Sequence, residues 1–92
     1  MPEREFRYER MSWPQLREAA RADMVVLVPF GSIEQHGFHL PVDVDLRIVQ
    51  EICLRTARAS PHALVMAPLV FGFETHHMDW PGTIDVDWDV LV

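Results

Sequence analysis

A chain of 92 residues with a formal net charge of −6 has room for one small domain and lacks the basic surface typical of nucleic-acid-binding proteins. Hydrophobic residues make up 49% of the sequence, which excludes a disordered or fibrous chain, and no apolar run reaches the length of a membrane span. The N-terminus has no signal-peptide pattern and Cys53 is the only cysteine, so we expect a cytoplasmic protein without an internal disulfide.

The first half of the sequence predicts a lead-in, a helix and a buried strand. Residues 1–11 are charged and mixed, and we expect a lead-in or an edge strand there. Ser12 and Gln15 have the spacing of a capping box, which predicts a short helix ending near residues 21–23. Residues 24–28 form a continuous apolar, β-branched run, which predicts a central parallel strand covered on both faces.

A second helix and a second strand follow the same logic. Residues 46–59 have helical periodicity, with Leu54 as the one misfit, and Asp43 or Asp45 is placed to cap the helix. The predicted apolar arc consists of Leu46, Ile48, Val49, Ile52, Cys53 and Ala57. Residues 63–70 predict another buried strand, parallel to the first. The order α-β-α-β indicates the right-handed crossover of an α/β fold. Two strands alone do not make a stable sheet, so we expect the front part of a larger domain.

Two loops follow the predicted strands and carry the polar residues. The first, residues 29–45, contains Glu34, His36 and Asp45. The second, residues 71–81, contains Glu74, His76, His77, Asp79 and Trp80. Ligand sites of open α/β sheets lie at the carboxyl ends of strands, where both loops begin. A final helix, capped by Asp87, is expected near the end of the sequence.

Glu34 and His36 are two residues apart, so in extended backbone their side chains leave the same face. With Asp45 they form a candidate divalent-metal site, whose imidazole and carboxylates suit zinc, manganese or iron better than calcium. A carboxylate can also bridge two metal ions. Taken alone, Glu-x-His is common, and the alternative is a solvated Glu34 beside a loop histidine bonded to backbone groups.

The wider motif resembles the creatininase (creatinine amidohydrolase) family. Residues 28–41 read Val-Pro-Phe-Gly-Ser-Ile-Glu-Gln-His-Gly-Phe-His-Leu-Pro and are followed closely by Asp45. A second similarity lies in residues 80–84, Trp-Pro-Gly-Thr-Ile, which resemble the family's Phe-Pro-Gly-Thr-Ile segment, with His77 shortly before it. The resemblance implies a three-layer α/β/α sandwich with a mainly parallel sheet, of which only the front part is present in residues 1–92.

The resemblance also implies a two-metal hydrolase, with zinc or manganese as the ions, that cleaves a non-peptide amide C–N bond of a small, sometimes cyclic, molecule such as creatinine. Glu34, His36 and Asp45 would be metal ligands, with Asp45 bridging and a metal-activated water as nucleophile. His77 is a candidate to face the substrate. His39 is expected to support the loop or to line the site without binding metal. Asp43 is expected to act as a cap or to accept a hydrogen bond near the site.

Several alternatives stay open at this stage. The family's remaining ligands and its proton-transfer residues lie in a later segment, so we expect an incomplete active site in this chain. It would need a complementary C-terminal segment, as one half of a split enzyme, or it would be a non-catalytic assembly module. A stand-alone metal-binding protein is the third reading. The resemblance also implies a homo-oligomer, and we expect no nucleic-acid or membrane partner.

Overall fold

The computed structural model describes residues 4–72 and 75–91, in which helices and strands alternate as predicted. The main elements are α1 (Trp13–Arg21), β1 (Val25–Leu27), α2 (Val44–Ala59) and β2 (Ala63–Val65), followed by the short helix α3 (Trp88–Leu91). Two 3-10 turns lie at Tyr8–Arg10 and Thr75–His77. Within the described ranges, no helix has both the length and the apolar character needed to cross a membrane.

The two strands pair in parallel, with Val26 opposite Leu64, and α2 makes the connection between them. This confirms the predicted α/β class. Hydrogen bonds continue the pairing beyond the strands: the Leu69 N–H donates to the Pro29 carbonyl at 2.9 Å, and the Gly31 N–H donates to the Leu69 carbonyl at 3.0 Å. Because the strands run in the same direction, the loops that follow them start at the same edge of the sheet.

β2 lies at the centre of the core, and all three of its residues are buried. The core cluster of buried residues consists of Phe6, Ala19, Ala57, Ala63, Leu64 and Val65. Phe6 belongs to the lead-in, which pairs with the second edge of β2 through a hydrogen bond from the Val65 N–H to the Phe6 carbonyl at 2.7 Å. The lead-in therefore forms a short edge of the sheet.

The buried side of α2 differs from the predicted arc. Leu54, the predicted misfit, packs against the core together with Cys53 and the fully buried Ala57, whereas Ile48 and Ile52 are 56% and 58% exposed. Residues 53, 54 and 57 share one stripe of a helix because they are three and four positions apart. β2 contacts the helix along this stripe, so the apolar arc was placed too far around the helix.

The prediction that β1 is covered on both faces is also wrong for this chain. Val25 and Val26, whose side chains leave opposite faces of the strand, are 58% and 39% exposed. β2 is also the single strand paired with β1 in the described part of the chain. The Cα radius of gyration is 16.0 Å, against about 12 Å for a compact domain of this length. The chain is therefore more extended than a compact domain of its length, and many of its large apolar side chains are exposed.

The helix ends are held by specific contacts. Gln15 Oε1 accepts hydrogen bonds from the Ser12 N–H at 2.8 Å and the Ser12 hydroxyl at 3.1 Å, which confirms the capping box. Asp43 occupies the N-cap position of α2, one of the two positions predicted for the cap, but its side chain makes no capping hydrogen bond, and Asp45 lies in the first turn of the helix. At the other end of α2, the Arg4 guanidinium donates to the Ala57 carbonyl at 2.9 Å, a contact that sequence patterns do not reveal.

Candidate metal centre

The first polar loop is joined by direct hydrogen bonds to the residues that follow the second loop. The Ile84 N–H donates to the Ile33 carbonyl at 3.0 Å, and the Gln35 N–H donates to the hydroxyl of the buried Thr83 at 3.0 Å. The residues on either side of Glu34 are therefore fixed by Thr83 and Ile84, which follow the second loop.

Gly31 brings the first loop onto the start of α2. A Cβ atom at this glycine would lie 2.8 Å from Leu46 Cα, a separation that real Cβ atoms essentially never show. The residue at position 31 must therefore lack a side chain for the loop to pass so close to the helix. Asp45, in the first turn of α2, consequently lies beside the loop that carries Glu34 and His36.

Glu34, His36 and Asp45 are brought together at this point. His36 Nε2 lies 3.2 Å from Asp45 Oδ2 and 3.5 Å from Glu34 Oε1. One ligand atom from each residue fits within 4.8 Å of the others, and all three residues are partly buried. In the described ranges, these three residues are the group with metal-ligand geometry.

The carboxylate of Asp45 is held in its charged form. Its pKa lies below the ordinary value, mainly because of a hydrogen bond with the Glu34 carboxyl group and further because of the hydrogen bond and positive charge that His36 can supply. Partial desolvation opposes this shift. An ionised carboxylate beside an imidazole is the form that binds a divalent cation.

His77 lies next to this cluster, with its Nε2 atom 3.5 Å from Glu34 Oε2. Its Nδ1 atom lies 2.9 Å from Gln35 Nε2. The contact with Gln35 was missed at the sequence level, because 42 residues separate the two side chains and no spacing rule links them. The folded structure is needed to show that Gln35 and His77 are in contact.

The remaining candidates lie outside the cluster. His39 and His62 are exposed, as are Asp79 and Trp80 of the second loop. Asp43 is partly buried, and its Oδ1 atom is buried without a hydrogen-bond partner in the described chain. Glu74 lies outside the described residues, and so does the side chain of His76.

Two concavities flank the cluster. One, of about 460 Å³, lies on the side of Glu34 and Asp45, and Phe30 and Trp88 contribute aromatic surface to it. The other, of about 310 Å³, lies on the side of His36, with Phe38 and Trp80 in its lining. Polar groups at the boundary of two partly apolar concavities are typical of small-molecule sites. A larger concavity of about 500 Å³ lies beneath α1, away from the polar cluster.

Comparison with known proteins identifies the family. The creatininase (creatinine amidohydrolase) family model matches residues 9–92. The chain belongs to the creatininase family. A creatininase-family relative, the creatinine amidohydrolase of Pseudomonas putida, is 31% identical over 87 residues, which cover 88% of this chain and 33% of the relative. The mycofactocin precursor peptide peptidase of Mycolicibacterium smegmatis is 40% identical over 67 residues, covering 67% of this chain and 27% of the relative.

Solved creatininase structures agree with this assignment. The structure described as "Creatininase Mn" superposes with a TM-score of 0.87 at 29% identity, covering 96% of this chain and 36% of that one. A mutant creatininase of the Zn-Zn type gives a TM-score of 0.85 at 28% identity, with 97% and 36% coverage. The chain therefore spans about a third of the length of the creatininase-family proteins it matches.

Proposed function

We propose that this chain supplies part of the metal site of a creatininase-family amidohydrolase, which cleaves the C–N bond of a small amide. The convergence of Glu34, His36 and Asp45 is the observation that carries the proposal. Residues 1–92 would be the N-terminal portion of a single creatininase-like α/β domain, which the family match over residues 9–92 supports.

The donor set fits a zinc or manganese ion. His36 Nε2 faces an oxygen atom of each carboxylate, so a cation at this position would neutralise both and accept the imidazole lone pair. Glu34, His36 and Asp45 would hold the metal. When bound, such an ion polarises an amide carbonyl and activates water for attack. Related solved structures carry manganese or zinc in their descriptions, which supports a divalent ion without deciding between the two.

The residues around the cluster would bind and orient the substrate. Phe30 and Trp88 on one side, and Phe38 and Trp80 on the other, supply apolar surface within the two concavities. Because these concavities hold about 460 and 310 Å³, they suit a small amide better than a protein surface. Two of the relatives' names point to substrates with amide C–N bonds, creatinine and a precursor peptide. A third names 3-dehydro-scyllo-inosose, which has no amide bond. We therefore propose the amide class on the first two and name no single compound.

A second candidate function is an assembly module, either non-catalytic or one half of a split enzyme. It is favoured by the exposed apolar residues of β1 and α2, among them Val25 and Ile52, each 58% exposed. Such a surface is typical of an interface. Homo-oligomer formation remains a prediction under both functions.

Metal titration tests the proposed site. We expect the chain to bind Zn²⁺ or Mn²⁺ weakly, because three protein ligands are fewer than a closed site needs. His36→Ala should remove detectable binding in isothermal titration calorimetry, since it deletes the ligand between the two carboxylates. His62→Ala is the matched control, because His62 is exposed and outside the cluster. Equal binding by both variants would contradict the proposed site.

A further inference from the structure

Gln35 connects the backbone of the first loop to a histidine of the second. Its Oε1 atom accepts a hydrogen bond from the Gly37 N–H at 3.0 Å, and its Nε2 atom lies 2.9 Å from His77 Nδ1. Its own backbone N–H is bonded to the Thr83 hydroxyl. Both polar atoms of the Gln35 amide group and its backbone N–H are thus held by contacts with other residues.

These contacts determine which atom of the Gln35 amide faces His77. The Gly37 N–H can only donate, so the atom it contacts must be the amide oxygen. The amide nitrogen then points to His77. Because an amide nitrogen donates and does not accept, His77 Nδ1 has to be the acceptor.

An accepting Nδ1 places the proton of the neutral His77 ring on Nε2. This Nε2–H group faces Glu34 Oε2 at 3.5 Å, a polar contact longer than an ordinary N–H···O hydrogen bond. A protonated nitrogen has no lone pair for a metal ion, so His77 is excluded from the ligand set although it touches a ligand. The other oxygen of Glu34, Oε1, remains directed at His36.

We infer that Gln35 and His77 are positioning residues: they form a relay, Gly37 N–H to Gln35 to His77 to Glu34, that sets the His77 tautomer and holds the Glu34 carboxylate with one oxygen toward the metal. Its effect on metal binding rests on the proposed function, whereas the tautomer does not. Residues that orient metal ligands in this way typically change metal affinity by about 10- to 100-fold when mutated.

The tautomer is measured directly by NMR. In the metal-free chain labelled with ¹⁵N-histidine, long-range ¹H–¹⁵N correlations should show His77 with Nε2 protonated and Nδ1 unprotonated. In Gln35→Glu, a carboxylate replaces the amide donor, so Nδ1 should become protonated. Gln15→Glu is the matched control, because Gln15 is exposed at the start of α1 and glutamate also completes a capping box. It should leave the His77 spectrum unchanged.

Metal affinity gives a second readout. Gln35→Glu and His77→Ala should each weaken Zn²⁺ or Mn²⁺ binding by about 10- to 100-fold. His77→Gln should recover most of the loss, because its amide nitrogen can take the place of Nε2 and donate to Glu34. If the His77 ring served only to fill space, glutamine, which has a smaller side chain with the same donor, would not restore metal affinity.

The two readouts separate the relay from the proposed site. Suppose the chain binds metal, but His77 of the wild type is protonated at Nδ1 or Gln35→Glu leaves the His77 spectrum unchanged. Either result would overturn the relay, whereas the proposed metal site would stand. The expected tautomer and its switch, with no metal binding at all, would overturn the site and with it the relay's effect on affinity.

Discussion

Asp45 shares its surroundings with Glu34 and His36, and in the metal-free chain this makes its charge a source of stability. Its folded-state pKa is lowered, chiefly by the hydrogen bond with Glu34 and then by His36. The contribution is therefore fully present above the pKa of the unfolded chain, and it is lost as the pH falls through the lowered folded-state pKa. The Asp45 side chain is 42% exposed, so solvent screening keeps the contribution below about 1 kcal/mol.

Urea unfolding at a series of pH values tests this contribution. Asp45→Asn should lower the free energy of unfolding slightly at neutral pH, and the difference from the wild type should vanish in acid. Asp79→Asn, at an exposed position outside the cluster, is the control and should show no such pH-dependent difference. A stability difference for Asp45→Asn that grows in acid would show that the sign is wrong.

At the scale of elements, the site depends on how closely the first loop passes over α2. Gly31→Ala would place a Cβ atom 2.8 Å from Leu46 Cα and 3.0 Å from Leu46 N, and these are backbone atoms that cannot rotate away. We expect a loss of about 1–3 kcal/mol in the free energy of unfolding, together with weaker metal binding, because Asp45 precedes Leu46. Chemical denaturation and metal titration measure the two effects.

Gly72 provides the control for this substitution. A Cβ atom there would meet Ser32 Cβ at 3.5 Å, which is ordinary van der Waals contact. Gly72→Ala should therefore change stability and metal binding little. Equal losses of stability and metal binding in the two alanine variants would show that the close approach of the loop to α2 is not their cause.

Much of this arrangement was predictable from the sequence, because it depends on local patterns. The apolar runs predicted two parallel strands, and the Ser12–Gln15 spacing predicted the start of α1. The buried stripe of α2 was not predictable from periodicity alone, since several sides of that helix are apolar. Leu54 packs against the core that contains β2, whereas Ile52 is exposed, and this difference depends on the position of β2.

In the site too, contacts between residues close in sequence were predictable, and contacts between distant residues were not. Glu34 and His36 are close in sequence, so their shared face follows from extended geometry, and the family motif points to Asp45. The contacts of Gln35 with His77 and of Arg4 with the end of α2 join residues 42 and 53 positions apart. Such contacts depend on the tertiary fold, and no single-sequence rule anticipates them.

At the scale of the whole molecule, the chain is an open slab of 48 × 31 × 17 Å with one strand edge and much apolar surface uncovered. It spans about a third of the length of its relatives. Three ligands on this part of the fold cannot fill the coordination of two ions, and catalytic sites also need a rigid surrounding shell. We therefore predict that the 92-residue chain alone does not hydrolyse creatinine.

Complementation would test whether the rest of a creatininase-family domain restores the site. The part of the Pseudomonas putida creatinine amidohydrolase that this chain does not cover can be supplied as a second polypeptide, which we expect to cover the open edge and the exposed apolar residues of β1. We expect metal-dependent ring opening of creatinine, or amine release from a related amide, only when both parts are mixed. His36→Ala should abolish this activity, whereas His62→Ala should retain it. Hydrolysis by the 92-residue chain alone would contradict the incomplete site, and activity that survives His36→Ala would contradict the role of that histidine.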